Sequence, residues 1–271
     1  MRPIPKLTEG RTWYLSLAGV AVAVAVVLAV VVPAVRQRFF TRDQVWERVV
    51  TTGVWRVGLD PSFPPFEDLT DAGEVVGFDV DLARAIARTW GVRVELVSLG
   101  YDGLIDAVRT GKVDAAISAI PYDPLLTRDV RFSDPYFDAG WRLVVLRDSS
   151  LQQVEEVAGA RVAVEWGSEG DVWARRLRRQ YPGMALVLKP SLDEALVALL
   201  RGEVDAAILD GVMARQHASQ LRVVQALSSE PYVIVVPYEA PRLHAQVNVA
   251  LNALRNTGEL AAIEERWFGE K

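Results

Sequence analysis

Carboxylates, aromatic rings and small hydroxyls recur together in five places: Asp60 to Phe66 (DPSFPPF), Gly100 to Gly103 (GYDG), Ser118 to Pro121, Trp166 to Asp171 (WGSEGD) and Asp210. Ionised carboxylates accept hydrogen bonds and attract cations, and aromatic faces hold carbon chains or cationic groups. That chemistry suits non-covalent capture of a small polar molecule. The chain has no cysteine, which removes disulfides, thiolate metal sites, a cysteine nucleophile and a lipid-modified N-terminal cysteine, and agrees with an oxidising exterior. Its two histidines, His217 and His244, fall on expected helices and are too few for a zinc site, so neither metal nor cofactor is expected. Taken singly, each polar residue also has a structural reading: Asp60 as a turn cap before Pro61, Tyr101 as core, Asp210 as the cap of the following helix.

The elements that must position these groups alternate in type. Strands are expected at 55–59, 92–99 and 113–120 with helices at 80–90 and 102–110 between them. The pattern then restarts, with strands at 141–146, 161–166, 184–188 and 204–210 and helices at 151–157, 171–180 and 192–201. Such alternation implies a mainly parallel α/β sheet in each half. LIDAVRTGKVDAAISAI (104–120) and LVALLRGEVDAAILDG (196–211) are near copies, so two lobes of one architecture are expected. In open α/β sheets ligands sit beyond the carboxyl ends of strands, which is where the five polar groups lie. With 271 residues, 51% hydrophobic and a net charge of −5, the chain has room for one large or two modest domains. Its scattered arginines give no footprint for nucleic acid.

Residues 13–35 (WYLSLAGVAVAVAVVLAVVVPAV) carry no charge. As a helix this stretch spans roughly 35 Å, enough for a bilayer, and it exceeds the apolar region of a signal peptide. An uncleaved membrane anchor is expected, although Val32-Pro33-Ala34 offers a small-residue cleavage site. Basic residues flank the span on both sides, Arg2, Lys6 and Arg11 before it and Arg36, Arg38, Arg42 and Arg48 after, so charge alone does not set its orientation. A short amphipathic helix with Trp46, Val49 and Val50 on one face follows as a spacer.

WRVGLDPSFPPFED, GFDVDLARAIA, VDAAISAI, FSDPYF, VAVEWGSEGD, VDAAILD and LNALRNTGELAAIEERWFGE follow one another with spacings that resemble the family 3 extracellular solute-binding proteins. The resemblance covers residues 43–271. It implies a type II, two-lobed periplasmic-binding-protein fold that closes on a polar amino acid and delivers it to the permease and ATPase of an ABC importer. It places the lobes on the extracytoplasmic side of the cell membrane, as a single-pass monomer. The implied organisation is a cytoplasmic tail at 1–12, the anchor at 13–35 and a spacer helix at 36–54. Lobe one is then 55–136 with 233–271, and lobe two 137–232. Carried over by position, Asp60 faces the ligand, and Phe63 and Tyr101 sandwich its carbon chain. Ser118 and Ala119 offer hydroxyl or backbone groups. Ser168 and Glu169 open a helix whose amides take the α-carboxylate, and Asp210 binds the α-ammonium.

The chain departs from the family where a carboxylate is normally gripped. The family arginine six residues before the phenylalanine of the FS motif falls on Leu126, and the threonine five residues earlier falls on Pro121. Two donors worth about 1.5 to 3 kcal/mol each are therefore missing. Arg128 is a possible substitute, but on a helical turn it points away from position 126; the competing expectation is a solvated or salt-bridged Arg128 with Asp129 or Asp138 nearby. Glu165 stands where some members carry lysine, and Trp166 follows it. Asp60, Glu165 and Asp210 together call for a cationic ligand, a basic amino acid or an amine, unless Glu165 points to solvent. Two other classes remain open. A cyclohexadienyl dehydratase-like enzyme would use Glu165 or Glu169 as general acid. A ligand sensor would act through a separate signalling protein, because the tail before Trp13 is too short for an output domain.

Overall fold

The computed structural model describes residues 43–269. The expected span at 13–35 lies outside them, and no described helix is long and apolar enough to cross a membrane. Helix α1 (Gln44–Thr52) leads into β1 (Val54–Leu59), a small hairpin of β2 (Asp68–Leu69) and β3 (Val75–Val76), α2 (Phe78–Trp90), β4 (Arg93–Ser98), α3 (Leu104–Arg109), β5 (Ala115–Ala116) and β6 (Val130–Phe132). Strand β7 (Phe137–Asp138) passes to a second lobe of β8 (Arg142–Leu146), β9 (Arg161–Glu165), α4 (Glu169–Gln180), β10 (Ala185–Lys189), α5 (Leu192–Leu200), β11 (Ala206–Leu209), α6 (Gly211–Gln216) and β12 (Leu221–Ala226). The chain returns through β13 (Pro231–Tyr232) to β14 (Val235–Pro237), α7 (Pro241–Thr257) and α8 (Glu259–Phe268).

Each lobe holds one five-stranded sheet, in the order β4-β1-β5-β14-β6 and β10-β9-β11-β8-β12. β1 runs parallel to β4 and β5, and β9 parallel to β10 and β11, as helical crossovers require. β14 and β8 run antiparallel to their neighbours, because the segments that bring the chain to them carry no crossover helix. β7 and β13 pair with each other, Tyr232 opposite Phe137, and form the two-stranded link between lobes, with Tyr232 also bridged to Pro121.

The repeated Val-Asp-Ala-Ala-Ile has a visible purpose. Asp114 accepts the Arg56 amide at 2.8 Å and pairs with its guanidinium at 2.8 Å; Asp205 does the same to Arg161 at 2.7 and 2.8 Å. In both lobes the aspartate thus pins the start of a neighbouring strand. The Arg161 hydrogen bond holds the Asp205 carboxyl below its usual range. Apolar side chains fill both faces of each sheet, with Trp55, Phe66, Phe78 and Phe268 fully buried in lobe one. Burial of each such ring is worth about 1.5 to 3 kcal/mol. The expected spacer helix is part of this body: Val49 of α1 is fully buried, and Trp46 meets Trp90 edge-on at 5.1 Å. The expected helix at 151–157 is instead a single 3-10 turn, Val154–Val157.

Candidate functional site

A cavity of about 290 Å³ opens at the carboxyl ends of β1 and β5, bordered by Asp60, Phe63, Tyr101, Ser118, Ala119 and Pro121, together with Ser62, Glu67 and Tyr232. Asp60 follows β1 directly. Its Oδ2 accepts the Tyr101 amide at 2.9 Å, which ties two strand ends together, and its own amide donates to Ser118 Oγ at 2.9 Å. Phe63 and Tyr101 keep 47% and 46% of their surfaces exposed, so open ring faces flank the cavity. Phe63 is braced from behind by Phe66, stacked at 5.7 Å.

Ser118 and Ala119 border the cavity, but the polar groups expected to serve a ligand are committed elsewhere. Ser118 Oγ donates to Glu67 Oε1 at 2.6 Å, and the Ala119 amide donates to Asp79 Oδ2 at 2.7 Å. The cause is a pair of buried acids, Glu67 at the cavity border and Asp79, which need every donor within reach. Tyr136 donates its hydroxyl to Asp79 at 3.0 Å. Burial first, then the Asp79 charge, pushes the Glu67 carboxyl far above the carboxylate range. Burial also raises Asp79, against the hydrogen bonds of Glu67, Ala119 and Tyr136. Within the pair, Glu67 Oε2 and Asp79 Oδ1 have no other partner, so the two acids hold one proton between them at neutral pH. Ala119 itself is bent to φ 43°, a conformation a non-glycine residue adopts only when its surroundings enforce it.

Lobe two contributes a second acidic group. Ser168 caps α4, accepting from the Asp171 amide at 3.2 Å and donating to the Glu165 carbonyl at 2.8 Å. Asp171 in turn holds the Gly167 amide at 3.2 Å, which leaves the Glu169 and Gly170 amides as the open donors of that turn. Trp166 is 70% exposed, and Glu165 is half-buried. Asp210 caps α6 by accepting the Met213 amide at 2.7 Å; burial raises its carboxyl, against the Met213 and Val212 amides. Glu230, just before β13, is raised by burial and then by the charges of Glu169, Asp210 and Asp138. Those fields bring Glu230, Glu169 and Asp210 into one acidic neighbourhood.

Leu126 does not join the cavity lining. It packs against the apolar cluster of Leu104, Val108 and Val130, because an alkyl side chain gains more from that core than from a polar cleft. Arg128 is exposed and away from the cavity as well; Asp129 pairs with Arg109 at 3.7 Å, and Asp138 with Arg142 at 3.1 Å. Sequence reasoning missed Glu67, Tyr232 and Glu230. Glu67 lies within the quoted FPPFED motif, but its partners Ser118 and Asp79 are remote in sequence, and only the folded chain shows that its carboxyl is buried.

The model of the bacterial extracellular solute-binding proteins, family 3, matches residues 55–270. The chain belongs to that family. The arginine-binding extracellular protein ArtP of Bacillus subtilis is 27% identical over 222 residues, covering 79% of this chain and 86% of the relative. Among solved structures, an ancestral cationic amino acid solute-binding protein is 30% identical, covers 82% of this chain and 98% of its own, and superposes with a TM-score of 0.61. The unliganded, open L-cystine solute receptor of Neisseria gonorrhoeae reaches a TM-score of 0.73 at 23% identity, covering 83% and 97%, which is a likeness of fold. The solute-binding protein described here has that two-lobed α/β periplasmic-binding-protein fold.

Proposed function

We propose that this solute-binding protein captures a small cationic amino acid or amine between its lobes and delivers it to an ABC importer, without chemical conversion. One observation carries the reading: among the described residues no lysine or arginine lines the cavity, and the acids that do are Asp60, which presents its charge, and Glu67, whose carboxyl burial keeps protonated. Open Phe63 and Tyr101 faces suit a cation's alkyl chain, and Glu169, Asp210 and Glu230 add negative field from the other side. The names of the relatives, arginine-binding and cationic amino acid-binding, point the same way. With Leu126 at the family arginine's position, an α-carboxylate is left to the Glu169 and Gly170 amides, which favours an amine or a weakly held amino acid. In this reading residues 13–35 anchor the chain in the cell membrane with both lobes outside.

The test is a calorimetric titration of the full chain in nonionic detergent with arginine, lysine, ornithine, polyamines and glutamate. Saturable binding of a cation with no response to glutamate is expected, and tight glutamate binding would overturn the proposal. Turnover of prephenate or arogenate by the same preparation would overturn its non-catalytic part. Loss of cation uptake on deletion of the chain tests delivery against sensing; uptake that continues unchanged argues for a sensor.

A further inference from the structure

Phe137 and Asp138 of β7 border a second and larger cavity, about 770 Å³, where α6 and β12 of lobe two face α7 and α8 of lobe one. Five arginines line it: Arg142, Arg147, Arg215, Arg222 and Arg255. Two have carboxylate partners, Arg142 with Asp138 at 3.1 Å and Arg215 with Glu264. The other three have none among the described residues. Arg147 donates to the carbonyls of Ser219 and Ala218, Arg222 to that of Leu151 at 2.7 Å, and Arg255 to the Asn252 side chain at 3.0 Å and the Pro135 carbonyl.

Carbonyl oxygens fix a guanidinium in place without neutralising it. Each of these three arginines has five N–H donors and uses at most two, so charge and donors are both left over. Five guanidinium groups against two carboxylates leave an excess of three positive charges, in a chain whose net charge is −5. Like charges gathered around one cavity repel, and an anion there removes the repulsion. A single carboxylate has one charge and two oxygens, which leaves one of the three arginines unanswered. A phosphate group carries up to two charges and three terminal oxygens, one for each guanidinium fork.

The geometry points to a binding site in this interlobe cavity for a small phosphate-bearing anion, held by Arg147, Arg222 and Arg255. Arg255 belongs to α7 of lobe one, whereas Arg147 and Arg222 belong to lobe two, so the anion bridges the lobes beside the hinge. The site is independent of the cleft ligand's identity.

The experiment is a calorimetric titration of the full chain in nonionic detergent, at ionic strength held constant with chloride, first with inorganic phosphate and then with glycerol 3-phosphate, a monoester that keeps three terminal oxygens. The first probe stands for free phosphate, the second for a lipid headgroup. Saturable binding of one or the other, one per chain, is expected and identifies the source. Arg147→Gln, Arg222→Gln and Arg255→Gln keep a donor for the carbonyls and remove the charge, and each should weaken binding about tenfold or more. No saturable heat from either probe overturns the site; so does binding that all three variants retain in full. Because the unsubstituted chain is decisive by itself, a variant that fails to fold does not hide the answer.

Discussion

Asp60 Oδ2 is held by the Tyr101 amide, and Oδ1 has no partner among the described residues, so the carboxylate presents a fixed and partly free charge to the cavity. Asp60→Asn keeps an oxygen for the Tyr101 amide and removes the charge alone. Affinity for a cationic ligand should then fall about tenfold to a hundredfold while the fold persists, as read by titration and thermal melting; an unchanged affinity would place the cation elsewhere. Glu67 makes the opposite case, a carboxyl whose value lies in being uncharged. Its folded pKa is raised above the unfolded one, so the folded state binds the proton more tightly. The associated stability is complete below the ordinary carboxylate range and is lost as pH rises toward the raised value, by up to about 1.4 kcal/mol per pH unit. Glu67→Gln offers an amide donor to Asp79 and an oxygen to Ser118 with no proton to lose. Urea unfolding at pH 6 and pH 9 should show the natural chain losing markedly more stability than the variant, and equal losses would refute the shared proton.

The acid pair exists because of how one helix begins. The amides of Phe78 and Asp79 donate to the carbonyls of Pro65 and Phe66 at 3.0 and 2.9 Å, which lays the first turn of α2 against the segment carrying Glu67. That approach is possible only at Gly77, where φ is 142° and an added Cβ would stand 2.0 Å from the Phe66 carbonyl oxygen. Gly77→Ala should destabilise the fold by on the order of 3 kcal/mol and lower ligand affinity with it, measured by chemical unfolding and titration. A neutral result would mean that the helix start is free to shift. Elements of this kind were legible in outline. The helix expected at 80–90 and found at 78–90 and the strands around both Val-Asp-Ala-Ala-Ile copies follow from local periodicity, and the strand ends led directly to Asp60, Phe63, Tyr101 and Pro121. What local pattern could not carry was the direction of β8 and β14, set by crossovers without helices, and the burial of Leu126, whose apolar neighbours lie on other elements. Glu67 was illegible for the same reason, since Ser118 and Asp79 become its neighbours only through tertiary folding.

At the scale of the whole molecule, lobe two is an insertion into lobe one, entered at β7 and left at β13. Its sheet carries an apolar core on each face, one around Leu143, Val162, Val164 and Ile208 and the other around Val144, Ala163, Leu199 and Leu209. Residues 139–229 therefore contain both layers needed to cover a sheet, in a length at which single domains fold alone. The ends of that segment already meet: the Ala139 amide donates to the Glu230 carbonyl at 3.0 Å, and Asp138 accepts the Gly140 and Glu230 amides, each at 2.9 Å, and the Ser229 hydroxyl at 2.9 Å. Excising the segment thus leaves lobe one with two strand ends close enough to join by a short Gly-Ser linker. Each product, the isolated 139–229 segment and the linked remainder, should unfold in a single cooperative thermal transition with an ordered near-ultraviolet spectrum, and neither should bind the cationic ligand, because the acidic groups of the two lobes are then separated. A broad transition with exposed apolar surface in the isolated segment would show that lobe two depends on lobe one for its packing; tight binding by either half would mean that the ligand is not shared between them.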